Sequence, residues 1–205
     1  MELSVRRRVS GRWRGSGVGE PWSWLLALAA LMLGVGGLEA FTLRGIASGL
    51  VSGIVIGFVV HEAAHRNVAR RAGMYSEFVA SPIGVLITAA SAVSPIKILA
   101  PGYVQVWGYR FNPTGAIRSV EAGPLSNIVL STVFTAASLL ALQEAHPRLH
   151  SWLLDAGGVN AWLALFNLIP VPPLDGYKLF NSTRRRWALL ILASTIIYLL
   201  YYVVP

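Results

Sequence analysis

His61-Glu62-Ala63-Ala64-His65 puts two imidazoles and a carboxylate within five residues. On a helix, positions i and i+4 lie on one face about 6 Å apart along the axis, so both rings can converge on one ion. Glu62 projects about 100° from His61 and can meet a water at that ion from the side. Zinc lowers the pKa of such a water toward about 7, and a neighbouring carboxylate can take its proton as it attacks a carbonyl. That chemistry is peptide hydrolysis without a covalent enzyme intermediate, and HExxH on a helix is a zinc-protease signature. The competing reading treats residues 58–71 as the polar border where a helix leaves lipid. Ionisable groups at the end of an apolar run are expensive and tend to be functional, which favours the metal.

A catalytic zinc takes three protein ligands and keeps a fourth position open. The chain has no cysteine, so its donors are nitrogen and oxygen, and it has two aspartates, Asp155 and Asp175. Asp155, in WLLDAGG, reads as a helix-end residue on the side opposite His61. Asp175, in NLIPVPPLDGYKLF, follows the other end of that apolar run, at the depth expected for His61. Glu121, just before AGPLSN, is a competing ligand on the same side. Pro170, Pro172 and Pro173 cannot continue a hydrogen-bonded helix and free backbone groups that need partners or a lining role. Gly176 permits a turn directly after the aspartate. His146 and His150 are also four apart, but Pro147 lies between them, and they read as a solvated helix connection.

The elements that must carry these residues are apolar. Of 205 residues 55% are hydrophobic and 13% charged, a balance that indicates a membrane protein. The arginines cluster at 6–8, 12 and 14, at 66, 70 and 71, and at 184–186, flanking apolar runs. Such clusters mark the cytoplasmic face of a membrane and do not form a nucleic-acid surface. Residues 1–20 read as a disordered basic cytoplasmic arm and 21–205 as the transmembrane domain. Apolar runs cover Pro21 to Thr42, Gly45 to His65, Gly123 to Leu142, Leu153 to Pro170 and Trp187 to Val204. Gly45, Gly49, Gly53 and Gly57 are four apart, a small-residue stripe suited to backbone-to-backbone packing, and His61 and His65 continue it.

Residues 77–106 are long enough to cross but are broken by Pro82, Gly84, Pro95, Lys97, Pro101 and Gly102, as in re-entrant strands or loops buried against protein. The fold class expected is membrane all-α, a polytopic bundle of five to six transmembrane helices with a short membrane-embedded β or re-entrant element after the HExxH helix. Charge counting favours five spans plus that element, with the amino terminus and the active-site side both cytoplasmic.

Together, HEAAH at 61–65 and the stretch Asn167 to Gly176, which fits NxxPxPxLDG in full, resemble the site-2 protease family of intramembrane zinc metalloproteases. Gly123-Pro124-Leu125-Ser126-Asn127 is a weaker third match. The resemblance covers residues 45–180. It implies that His61, His65 and Asp175 bind Zn2+, that Glu62 is the general base, and that Asn127 and Asn167 assist catalysis by holding a substrate carbonyl or oxyanion. A buried asparagine that ties helices together is the alternative for each amide. The family's membrane-embedded strands suggest strand addition for an unwound substrate. The loops are short for an inserted PDZ or nucleotide-binding regulatory domain, so this is the compact form. Glu121 stands where an apolar residue is usual.

The function expected is intramembrane proteolysis of transmembrane protein substrates in a cell membrane, with the lipid bilayer and a separate regulatory membrane protein as further partners. The alternative is a metal-binding membrane transport or scaffold protein without proteolytic activity, although such a degenerate relative would usually lose Glu62.

Overall fold

The computed structural model describes residues 19–108, 112–141 and 144–201. The basic arm expected over 1–20 lies, but for its last two residues, outside the described residues. The rest is mostly helical. Helix α1 is Glu20–Gly36 and continues as a 3-10 turn over Gly37–Phe41. A single turn, α2 (Leu43–Ile46), precedes α3 (Gly49–Arg71), whose first turn is capped by the Ser48 hydroxyl. The remaining helices are α4 (Pro82–Ala90), α5 (Pro113–Leu140), α6 (Pro147–Asn167), α7 (Asp175–Ser182) and α8 (Arg184–Tyr201). Strands β1 (Tyr75–Ala80) and β2 (Gly102–Trp107) pair antiparallel, with Tyr75 opposite Trp107 and Ala80 opposite Gly102.

Within the described residues the five apolar runs fall mainly on helices, and among those residues two helical stretches, Glu20–Phe41 and Pro113–Leu140, are by themselves long and apolar enough to cross a membrane. The others carry polar ends, such as HRNVARR on α3 and the triple arginine on α8, which dilute their apolar windows. The small-residue stripe does what its spacing predicts from Gly49 onward. A Cβ at Gly49, Gly53 or Gly57 would meet Trp152, Ala156 or Asn160 respectively, so α3 and α6 run in the same direction with their backbones close. Gly45 departs from the stripe: it sits in α2 and its α-hydrogen face abuts the Glu39 carbonyl.

The other helices alternate in direction. Trp24 packs edge-on to Phe58 and Gly36 approaches Val51, so α1 runs antiparallel to α3. His61 meets Asn127 and His65 meets Ser119, so α5 does too. On α8, Trp187 donates its indole N–H to the Leu168 carbonyl and Tyr201 abuts Gly158, which makes α8 antiparallel to α6.

The broken region becomes a strand, a helix and a returning strand, not strands or loops alone. Pro82 does not break it: at the first turn of α4 its missing N–H costs nothing, and the Ser81 hydroxyl caps the turn. Phe78 of β1 stacks on Trp24 at 4.2 Å between ring centroids, and the Thr88 carbonyl of α4 lies on Gly34. The excursion therefore follows α1 along nearly its whole length. Lys97, near its tip, donates to the Ser91 carbonyl at 2.6 Å.

Gly53→Val places methyl groups where the Ala156 backbone lies. It is expected to destabilise the protein by about 1–3 kcal/mol, read as a lowered Tm, whereas Leu50→Val on the exposed face of α3 leaves Tm nearly unchanged.

Candidate metal centre

His61 and His65 project from α3, one turn apart and both buried, into the space between α5 and α7. Asp175 enters the same space as the first residue of α7, also buried. Its placement follows from the prolines before it. Pro172 has no N–H to give the Leu168 carbonyl at the end of α6, and the Trp187 indole supplies that bond at 2.8 Å. Gly176 is not the turn residue its sequence position suggested. It lies inside α7, where a Cβ would strike the Leu168 carbonyl, and close approach to the end of α6 is what requires glycine there.

His61 Nε2, His65 Nε2 and Asp175 Oδ2 form a nearly equilateral triangle with edges of 2.9, 2.9 and 3.2 Å. A tetrahedral zinc with ligands at about 2.0 Å has ligand–ligand edges of roughly 3.3 Å, so the three atoms are spaced as ligands of one ion. Two further observations fit a metal. A Cβ at Gly123 of α5 would sit against Nε2 of both histidines, so the bare glycine leaves the metal its room. Glu62, buried beside the triangle, leaves Oε2 without a hydrogen-bond partner among the described residues.

The outward-facing ring nitrogens are both fixed. His61 Nδ1 donates to Asn127 Oδ1 at 2.6 Å, and His65 Nδ1 donates to the Ser119 carbonyl at 2.6 Å. These bonds set the tautomers that leave each Nε2 lone pair for a cation. Ser119 also returns a bond from its hydroxyl to the His65 carbonyl at 2.8 Å. The Asn127 amide donates to Asn160 Oδ1 at 2.9 Å and to the Gly57 carbonyl at 3.1 Å, and Asn160 donates to the carbonyls of Gly53 and Ala156. Asn167 lines the cavity and donates to the Leu163 carbonyl at 3.0 Å.

The competing carboxylates stand elsewhere. Glu121 pairs with Arg186 at 3.2 Å, and Asp155 is exposed on α6. His150 is buried and bonds the Ser138 carbonyl, so it is not the solvated residue its surroundings suggested, while His146 is exposed. Among the described residues, His61, His65 and Asp175 are the one group of three or more His, Asp or Glu that could hold an ion.

Asn160 and Ser119 were not among the residues singled out from the sequence. Asn160 had a readable signal, an amide inside an otherwise apolar run. Ser119 acts on His65 partly through its main-chain carbonyl, which any residue offers.

A cavity of about 690 Å3 opens from the triangle and is bounded by β2, α4, the start of α5 and the Pro173–Lys178 segment. Gly123→Ala fills the metal position with a methyl group. Zinc content is expected to fall from about one per chain to below a tenth while the protein remains folded, whereas Ala122→Gly retains zinc.

No described protein family matches the chain, and no solved structure is significantly similar to it. Two curated proteins are. The provisionally named zinc metalloprotease MJ0611 of Methanocaldococcus jannaschii is 34% identical over 130 residues, 62% of this chain and 66% of that protein. The provisionally named zinc metalloprotease Rip3 of Mycobacterium tuberculosis is 32% identical over 165 residues, 78% of this chain and 37% of that protein. The chain thus spans just under two thirds of the first and little more than a third of the second. With these relatives, and with the HExxH histidines joined by a distant aspartate in one buried triangle, the chain belongs to the site-2 protease-like zinc metalloproteases.

Proposed function

We propose that the protein is an intramembrane zinc endopeptidase that cuts a peptide bond in or near a transmembrane segment of another membrane protein. The observation that carries this reading is the juxtaposition of the His61, His65 and Asp175 triangle with the unpartnered Glu62 oxygen at the wall of one cavity. A zinc held there supplies Lewis acidity, polarising a carbonyl and making water acidic near neutrality. Glu62 then takes the proton of the attacking water and passes it to the leaving amine. Asn127 holds the His61 ring in register through Nδ1. Asn167, at the cavity wall, can exchange its intrahelical bond for one to a substrate carbonyl. The metal-binding transport or scaffold reading leaves the buried Glu62 carboxylate, with its unpartnered Oε2, without a task.

β2 pairs with β1 along one edge and contributes Gly102, Tyr103, Val104, Val106 and Trp107 to the cavity wall. An extended substrate segment added beside it reaches the metal side with its backbone bonds satisfied, which solves the problem that a helical span hides its peptide groups.

Several features support a five-span placement in the bilayer, with the β1–α4–β2 excursion embedded beside α1. The helix directions alternate as described. Large apolar side chains face outward on α1, α4, α5 and α8, Leu86 and Ile83 being 70% exposed and Leu189 61%. In lipid such faces need no cover, whereas in water they would be association sites. Arg66, Arg70, Arg71, Arg118 and Arg184–Arg186 all lie toward one end of the bundle, the end of Glu20, which pairs with Arg66 at 3.1 Å. By the positive-inside rule that end, and the metal site near it, is cytoplasmic.

Purified protein incubated with single-span substrates is expected to cleave at least one of them. Glu62→Gln should lower the rate by about 10²-fold or more while retaining one zinc per chain, and equal cleavage by the variant sinks the mechanism. In a chain without cysteine, Ser94→Cys at the tip of the excursion should react with an impermeant maleimide from outside the cell, and Ser182→Cys only after permeabilisation. The opposite pattern inverts the topology.

A further inference from the structure

The two oxygens of the Asp175 carboxylate have different partners. Oδ2 faces the histidines, at 2.9 Å from His65 Nε2 and 3.2 Å from His61 Nε2. Oδ1 faces away from them and accepts from Lys178 Nζ at 3.0 Å. Lys178 is three residues further along α7, on the same face, and its side chain lines the cavity that holds the metal site. The pair is unequal in setting. The Asp175 side chain is 8% exposed and that of Lys178 is 50% exposed, so the ammonium reaches from the cavity mouth onto a buried carboxylate.

A carboxylate can bind zinc through one oxygen or both, and a catalytic site depends on a coordination position left for water or substrate. A second bound oxygen from Asp175 would compete for that position. Hydrogen bonds to ligating groups from their surroundings decide such choices. Here the neighbour is a cation with three donors, placed on the oxygen that points away from the histidines. On the basis of the metalloprotease reading above, we propose that Lys178 is a positioning residue: it holds Asp175 Oδ1 away from the metal, so that Asp175 donates through Oδ2 alone and the fourth position stays open. An ordinary helix-surface ion pair at this spacing would instead add little stability and would leave coordination untouched.

The test uses the full chain loaded with Co2+ in place of zinc, because the intensity of cobalt's visible d–d bands reports coordination number. Wild type should bind one Co2+ and give the intense spectrum of a four-coordinate site. K178M, which keeps the stem but loses the donor, should still bind one Co2+, with band intensity lowered by about twofold or more as a fifth ligand enters. Its kcat with zinc should fall by about 10–100-fold at nearly constant KM. K178R, which restores a charged donor, should keep the wild-type spectrum. A K178M spectrum identical to wild type, with kcat within about twofold, overturns the proposal and leaves Lys178 a surface ion pair. If K178M does not fold, the shorter, uncharged K178Q is read for the same two outcomes. Wild type that takes up no cobalt overturns the metal reading and this one with it. Wild type that binds cobalt but cleaves nothing defeats only the protease reading, and the spectra still decide the role of Lys178.

Discussion

Two imidazoles and a carboxylate meet at one point inside a bundle of apolar helices, and the rest of the structure is arranged around the cost of keeping them there. Buried polar groups must be hydrogen-bonded or bound to a cation. The Nδ1 atoms are satisfied by Asn127 and by the Ser119 carbonyl, and Asn127 is satisfied in turn by Asn160 and the backbone of α3. What remains is three unshared lone pairs converging on one place. Without a cation, Asp175 Oδ2 and two imidazole nitrogens would crowd together with their lone pairs unshared, and a divalent ion satisfies all three.

Glycine is the means by which these groups come so close. Gly53 and Gly57 let Asn160 reach the backbone of α3, Gly123 clears the space in front of both imidazoles, and Gly176 lets α7 begin against the end of α6. Each removes a side chain at a contact between elements, and none of the four has a positive φ. Their role is distance, not backbone freedom. The prolines are complementary: Pro170, Pro172 and Pro173 end α6 and redirect the chain so that Asp175 returns to the histidines, while Trp187 takes up the carbonyl that Pro172 cannot serve.

Much of this was legible in the sequence because it rests on period and on rare residues. HExxH is a helix-period pattern, the Gly49–Gly53–Gly57 stripe has the same period, and with two aspartates in the chain the third ligand had few candidates. Local context misled in identifiable places. Pro82 looked like a breaker but begins α4, because proline is tolerated in the first turn of a helix and Ser81 caps it. Gly176 looked like a turn residue, because a contact with Leu168 cannot be seen from its chain neighbours. For Asn127 the motif leaves a substrate-holding and a helix-tying role open, and in this structure its amide is engaged by His61, Asn160 and Gly57. One of those partners, Asn160, is 33 residues away and belongs to no motif.

Zinc K-edge X-ray absorption on the purified protein would show whether His61, His65 and Asp175 close on one zinc with a position to spare. The expected spectrum has about four nitrogen or oxygen neighbours at roughly 2.0–2.1 Å and outer-shell scattering from two imidazoles, with loss of a neighbour or of the metal in Asp175→Ala but not in Glu121→Ala. A zinc with a single imidazole, or a spectrum altered by Glu121→Ala and indifferent to Asp175→Ala, would contradict it.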